Sequence, residues 1–215
     1  MTTRHHEYAA SLGAATAGRF EIARGGPRLT VTSHQETTEL YRARFDGLVP
    51  MVLADEGRVT IEYPRLSPNE WLRPDRRTAE ITLNRSLPWT LVFAGGVSSL
   101  RADLRRLTLT RLKIRGGATD SDILLPEPRG LVSVRVDGGA SGVRLLRPAG
   151  SAAHLHVAGG ASRLTFDEQR LGAIGGETRL ESAGAAQAAD RYEIEIRGGA
   201  RALTIGQWGD GGDAR

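Results

Sequence analysis

The sequence predicts an all-β protein, a right-handed parallel β-solenoid (a single-stranded β-helix) with turns of about 21 residues. Three observations carry that prediction. Gly-Gly pairs begin at Gly95, Gly116, Gly138, Gly159 and Gly198, at intervals of 21, 22, 21 and 39 residues, with Gly175-Gly176 inside the long interval. Apolar residues alternate with polar ones on both sides of each pair, the period of a half-buried strand. A second set of breakers, Pro126, Pro128, Gly130, Pro148 and Gly150, falls about half a period from the glycines.

The regular repeat is expected over residues 79–207. Leu112/Ile114, Val134/Val136, Leu155/Val157 and Ile194/Ile196 lie four and two residues before their glycines, and Val143/Leu145, Leu164/Phe166 and Leu203/Ile205 lie five and seven after. Stacking such repeats puts apolar columns inside and Thr, Arg, Lys, Ser, His and Glu outside. The hand follows from the crossover rule for parallel strands. A row of antiparallel hairpins turning at Gly-Gly imitates the same alternation and stays open at this point. Upstream, residues 19–78 read as looser β coils: "RFEIARGGPRLTV" as strand, corner, strand, then "GLVPMVL" and "GRVTIEYP" as strands about a hairpin-like turn at Asp55-Glu56-Gly57. Residues 63–77 carry three prolines and read as a surface loop, residues 1–18 as a mobile N-terminus, and residues 208–215 as a polar tail with Trp208 capping the last coil.

Composition narrows the function. The chain has 215 residues, 40% hydrophobic but only 5% aromatic, so its core must be aliphatic. It has no cysteine, which excludes disulfides and thiolate metal sites. The first residues lack an apolar signal core and no run approaches 18 apolar residues, so a cytoplasmic location without a membrane span is expected. Net charge is +4, and Lys113 is the one lysine among 29 basic residues. That balance permits a weakly anionic partner and does not indicate specific nucleic-acid binding.

At "SLPWTLVFAGGVSSLRADL", "LKIRGGATDSDILLP", "VRVDGGASGVRLLRP" and "EIRGGARALTI" the chain resembles a bacterial family, the "putative adhesin" or toastrack-type modules, across roughly residues 20–205. The resemblance implies a right-handed β-helix of the kind found also at the end of some cell-envelope stress accessory proteins. It transfers no catalytic motif.

The candidate sites follow from the repeat. Gly95, Gly96, Gly116, Gly117, Gly138, Gly139, Gly159, Gly160, Gly198 and Gly199 read as structural corners, because strands follow them and no G-K-[ST] sequence accompanies them. Glycine is expected there for its tolerance of positive φ, so Gly139→Val is expected to be costly. His154 and His156 flank Leu155 on one polar strand face, a spacing metal ligands use, with no third ligand nearby in sequence. Asp103, Asp120, Asp122, Glu127 and Asp137 are the acids a β-helix glycosidase would gather on one face, but their column positions differ and turns account for most of them. Stacked by the period, Lys113, Arg135 and His156 share an outward column flanked by Arg111 and Arg115, and Arg101 and Arg144 share another, separated by Asp122. These residues form the expected interaction face. The sequence therefore predicts a non-enzymatic scaffold or protein-interaction module without a cofactor, binding a protein or itself. The alternative is a self-assembling filament or oligomer, since a solenoid ends in exposed strand edges.

Overall fold

A computed structural model describes residues 5–24, 28–34, 38–64 and 78–209. The Gly25-Gly26 corner, most of the proline-rich loop at 63–77 and most of the polar tail lie outside the described residues. The N-terminal strands are β1 (His5–Ser11), β2 (Gly18–Arg24), β3 (Arg28–His34), β4 (Glu39–Asp46), β5 (Met51–Asp55), β6 (Arg58–Glu62) and β7 (Thr78–Asn84). The middle of the chain supplies β8 (Pro88–Phe93), β9 (Val97–Ser98), β10 (Leu100–Asp103), β11 (Thr108–Ile114), β12 (Ala118–Leu124), β13 (Leu131–Val136) and β14 (Ala140–Pro148). The last strands are β15 (Ala152–Val157), β16 (Ala161–Phe166), β17 (Gln169–Ile174), β18 (Thr178–Glu181), β19 (Arg191–Ile196) and β20 (Ala200–Trp208). No helix occurs among the described residues, so none is long and apolar enough to cross a membrane.

Two sheets result. The first has the order β1-β4-β7-β3-β10-β12-β14-β20-β16-β17, with β9 pairing β12, and the second β18-β15-β19-β13-β11-β8-β2-β6-β5. Each central repeat gives one strand to each sheet, and those strands pair in parallel, as in β11–β13 and β12–β14. The ends differ from the all-parallel expectation. The pairs β1–β4, β4–β7 and β5–β6 close one end antiparallel, and β16–β17 and β15–β18 close the other. Residues 5–11, expected to be mobile, are therefore a sheet strand, β1.

The order of repeats also departs from simple succession. The last repeat, β19 and β20, lies between β13/β14 and β15/β16. At the other end β2/β3 lies between β6/β7 and β8/β10. An interleaved repeat satisfies the backbone hydrogen bonds of both its edges. The outer edges fall instead to β1 and β17 in the first sheet and β18 and β5 in the second, each paired antiparallel with its one neighbour.

One hydrophobic cluster runs between the sheets, built from the predicted columns: Leu112, Ile114, Val134, Val136, Leu155, Val157, Ile194 and Ile196 from one side, Ile123, Val143, Leu145, Leu164, Phe166, Leu203 and Ile205 from the other. The glycine corners stack beside it, for a different reason from the expected one. Of the ten, only Gly96 has positive φ, at 79°. A methyl group on Gly138 would meet the Gly116 carbonyl carbon at 2.8 Å, and one on Gly198 the Gly139 nitrogen at 2.7 Å. Close approach of backbone to backbone, not left-handed conformation, demands glycine here. The left-handed residue sits three positions past the second glycine: Ser99, Asp120, Gly142, Arg163 and Ala202 have φ between 44° and 64°.

Candidate interaction faces

The expected interaction face lies on the outer side of the second sheet. Lys113 and Arg135 are direct register partners. Glu195 stands between Arg135 and His156, because the interleaved last repeat occupies that row. The column therefore reads Glu21, Val92, Lys113, Arg135, Glu195, His156 and Arg179 across the sheet. One row along, Asp137 lies 3.2 Å from Lys113 Nζ, 2.8 Å from Arg135 Nε and 3.7 Å from Arg197 Nε. Glu195 takes Arg135 at 3.3 Å and Arg197 at 3.1 Å, and Glu21 lies 3.8 Å from Arg115. Burial pushes the Asp137 carboxyl up, but hydrogen bonds from Lys113 and Arg135 outweigh it and hold the group below the usual carboxylate range. Arg19 also holds Glu21, at 2.6 Å, so five cations share three carboxylates. The face is an ion-pair lattice of mixed charge, with Arg111 exposed between Thr90 and Ser133 and without an ion partner among the described residues.

The two strand histidines are tied in the same way. His154 Nδ1 is 3.0 Å from Glu193, and His156 Nε2 is 2.6 Å from Glu177. Among the described residues no three His, Asp or Glu side chains converge as metal ligands. The acids stay apart too. Asp122 on the first sheet joins Arg101 and Arg144, its register neighbours, while Asp103 holds Arg105 through two hydrogen bonds at 2.9 and 2.7 Å. Asp120 occupies one of the left-handed positions, and Glu127 is exposed on the corner after β12.

Two arginine features lie outside the expected interaction face. Arg147 is fully buried at the end of β14. Its guanidinium donates to both Asp167 oxygens at 2.7 Å and to the carbonyls of Ser151 and Gly206 at 2.9 and 3.2 Å. It thereby clamps the link from β14 to β15 where that link passes the interleaved β20. The second feature is a group of arginines, Arg85, Arg105, Arg106 and Arg129, on the corners opposite the glycines. Arg85, Arg106 and Arg129 recur at intervals of 21 and 23 residues, close to the repeat period, on corners that lead into the adjacent strands β8, β11 and β13.

The comparisons with known proteins follow the fold. No curated protein matches the sequence. Among solved structures, a "putative cell adhesion protein" from Clostridium sporogenes ATCC 15579 superposes with a TM-score of 0.76 over 96% of this chain and all of that one, at 18% identity. A "putative adhesin" from Bacteroides fragilis NCTC 9343 gives a TM-score of 0.37 at 9% identity, over 96% of this chain and 98% of that one. The first likeness shows a common fold. The family model described as the N-terminal domain of toast_rack, DUF2154, matches residues 3–146, about two thirds of the sequence. The glycine-cornered strand repeats named above lie largely within that span, and the chain belongs to the toast_rack N-terminal domain family.

Proposed function

We propose that the protein is a non-catalytic interaction module, a right-handed β-solenoid scaffold that presents a flat, pre-ordered sheet face to a protein partner. The observation that carries this reading is the ion-pair lattice on the second sheet, from Glu21 through Asp137 to Glu195, laid over a continuous aliphatic core. Charges already held by their neighbours lose little side-chain freedom on docking, which lowers the cost of association. The fold likeness to a cell adhesion protein agrees with a binding role.

Self-association is the second reading, favoured by the edge strand β5, whose Met51 and Leu53 are exposed. A photo-cross-linking residue at position 111 on the second sheet, or at position 53 on the edge strand β5, separates the two in the cell that makes the protein. The expected result is a discrete heterologous adduct from position 111 alone. An adduct at twice the protomer mass from position 53 gives the second reading, and no adduct from either position removes both.

A further inference from the structure

The second set of corners builds a groove that the interaction face does not use. The corner after β7 carries Arg85, the corner after β10 carries Arg105 and Arg106, and the corner after β12 carries Arg129. These corners lead into β8, β11 and β13, three adjacent strands of the second sheet. Adjacent strands lie about 4.8 Å apart, so the corners step along the groove at that interval. Between them lies a groove of about 570 Å³, lined by all four arginines together with Glu127 and Thr108.

Its charge is unbalanced. Arg105 is spent on Asp103, which it holds below the usual carboxylate range, and its guanidinium also lies 5.6 Å from the Trp208 ring. Arg85, Arg106 and Arg129 form no ion pair with a carboxylate among the described residues, Arg106 acting on Asp103 only through longer-range attraction, and Glu127 is the one acid in the lining. The walls are fixed by buried anchors. Asn84 donates to the Glu39 carbonyl at 2.6 Å and accepts from the Ser86 amide at 2.9 Å, while its own carbonyl takes the Trp89 indole N–H at 2.6 Å. Tyr192 donates to the Pro126 carbonyl at 2.5 Å, Trp208 to the Leu125 carbonyl at 3.0 Å, and the Gly130 amide to Asp190 at 2.5 Å. Guanidinium groups are planar forks that match phosphate oxygens two at a time, and a rigid base lets them bind without first ordering the chain.

We propose that this groove binds a linear polyphosphate-type anion, its phosphate oxygens shared among the guanidiniums of successive corners. A chain of phosphates spreads its charge over the three corners, whereas a single phosphate meets one of them.

Calorimetric titration of the full chain with sodium tripolyphosphate tests this. Saturable binding is expected, at least tenfold tighter than orthophosphate. The pair Arg106→Gln with Arg129→Gln is expected to weaken it at least tenfold, from the loss of charge-assisted hydrogen bonds. The pair Arg170→Gln with Arg201→Gln removes the same charge from exposed positions elsewhere and is expected to change it less than threefold. Equal losses in the two pairs, or no saturable binding, overturn the proposal. Binding to phosphatidylglycerol vesicles without binding of tripolyphosphate overturns it as well, and assigns the surface to membranes. Should the groove pair fail to show a folded melting transition, Glu127→Gln decides: tighter tripolyphosphate binding supports the proposal, and unchanged or weaker binding ends it.

Discussion

A methyl group at Gly138 would sit 2.8 Å from the carbonyl carbon of Gly116 and the nitrogen of Gly117, neither of which has a side chain to move aside. Gly138→Ala must therefore spread two backbones, at a cost of roughly 1–3 kcal/mol by analogy with overpacked cores. Gly172, on the edge strand β17, has open space at the same atom and no positive φ. Gly172→Ala is expected to leave stability within about 0.5 kcal/mol of the parent. Urea melts of the two variants check the pair, and equal losses would remove the close-packing account of the corners. Gly139, whose added carbon would stand 3.2 Å from the Gly199 carbonyl oxygen, is less crowded than Gly138. In the pairs at 116, 138, 159 and 198 the first glycine is thus the more crowded, whereas at Gly95-Gly96 it is Gly96 that has positive φ and a backbone contact at 2.9 Å, an ordering invisible in a sequence where both positions are Gly.

At the scale of elements, the link from β14 to β15 depends on Arg147. Its charge is buried, and two carbonyls plus Asp167 satisfy it. Asp167→Asn keeps the shape, and asparagine tolerates the left-handed φ of 51° found there. It leaves the guanidinium without a countercharge, so a loss of about 3–5 kcal/mol is expected. Arg147→Met removes the charge along with its bonds and is expected to cost less, because a buried ion pair exchanged for apolar volume is often near neutral. Thermal denaturation of both variants supplies the comparison, and a more damaging Arg147→Met would show that the pair acts through packing alone. Arg147 in "RLLRPAG" carries no local sign of burial, because the same strand also holds an arginine, Arg144, that is exposed.

For the whole molecule, the interleaving of repeats predicts a particular response to truncation. In a solenoid stacked in chain order, removing the last repeat trims one end and leaves the rest folded. Here β19 and β20 lie inside the two sheets, and their loss would separate β13 from β15 and β14 from β16. A chain ending at Ala186 is therefore expected to lose its cooperative thermal transition by circular dichroism. A transition kept within a few degrees of the parent would contradict the strand order. The same interleaving explains why the expected basic column became a lattice of mixed charge: Glu195 enters the row between Arg135 and His156. The arginine groove owes nothing to it, for Arg85, Arg106 and Arg129 stand 21 and 23 residues apart on corners leading into β8, β11 and β13, which pair in chain order, so the repeat period alone brings them together.

The sequence by itself determined the all-β class, the two apolar columns and the recurrence of the glycine corners. Each of these rests on local periodicity, which a strand's alternation of side chains writes directly into the chain. The choice between parallel coils and antiparallel hairpins fell to the sheets, whose central pairs are parallel. Tertiary structure alone decided the order of the repeats, the antiparallel closures at both ends, the left-handed column through Ser99, Asp120, Arg163 and Ala202, and the burial of Arg147. The physical reason is that equivalent repeats present interchangeable edges to one another. Alanine at 200 packs in register with Ala140 on one side and Ala161 on the other, and only the assembled sheets reveal which edge each repeat has taken.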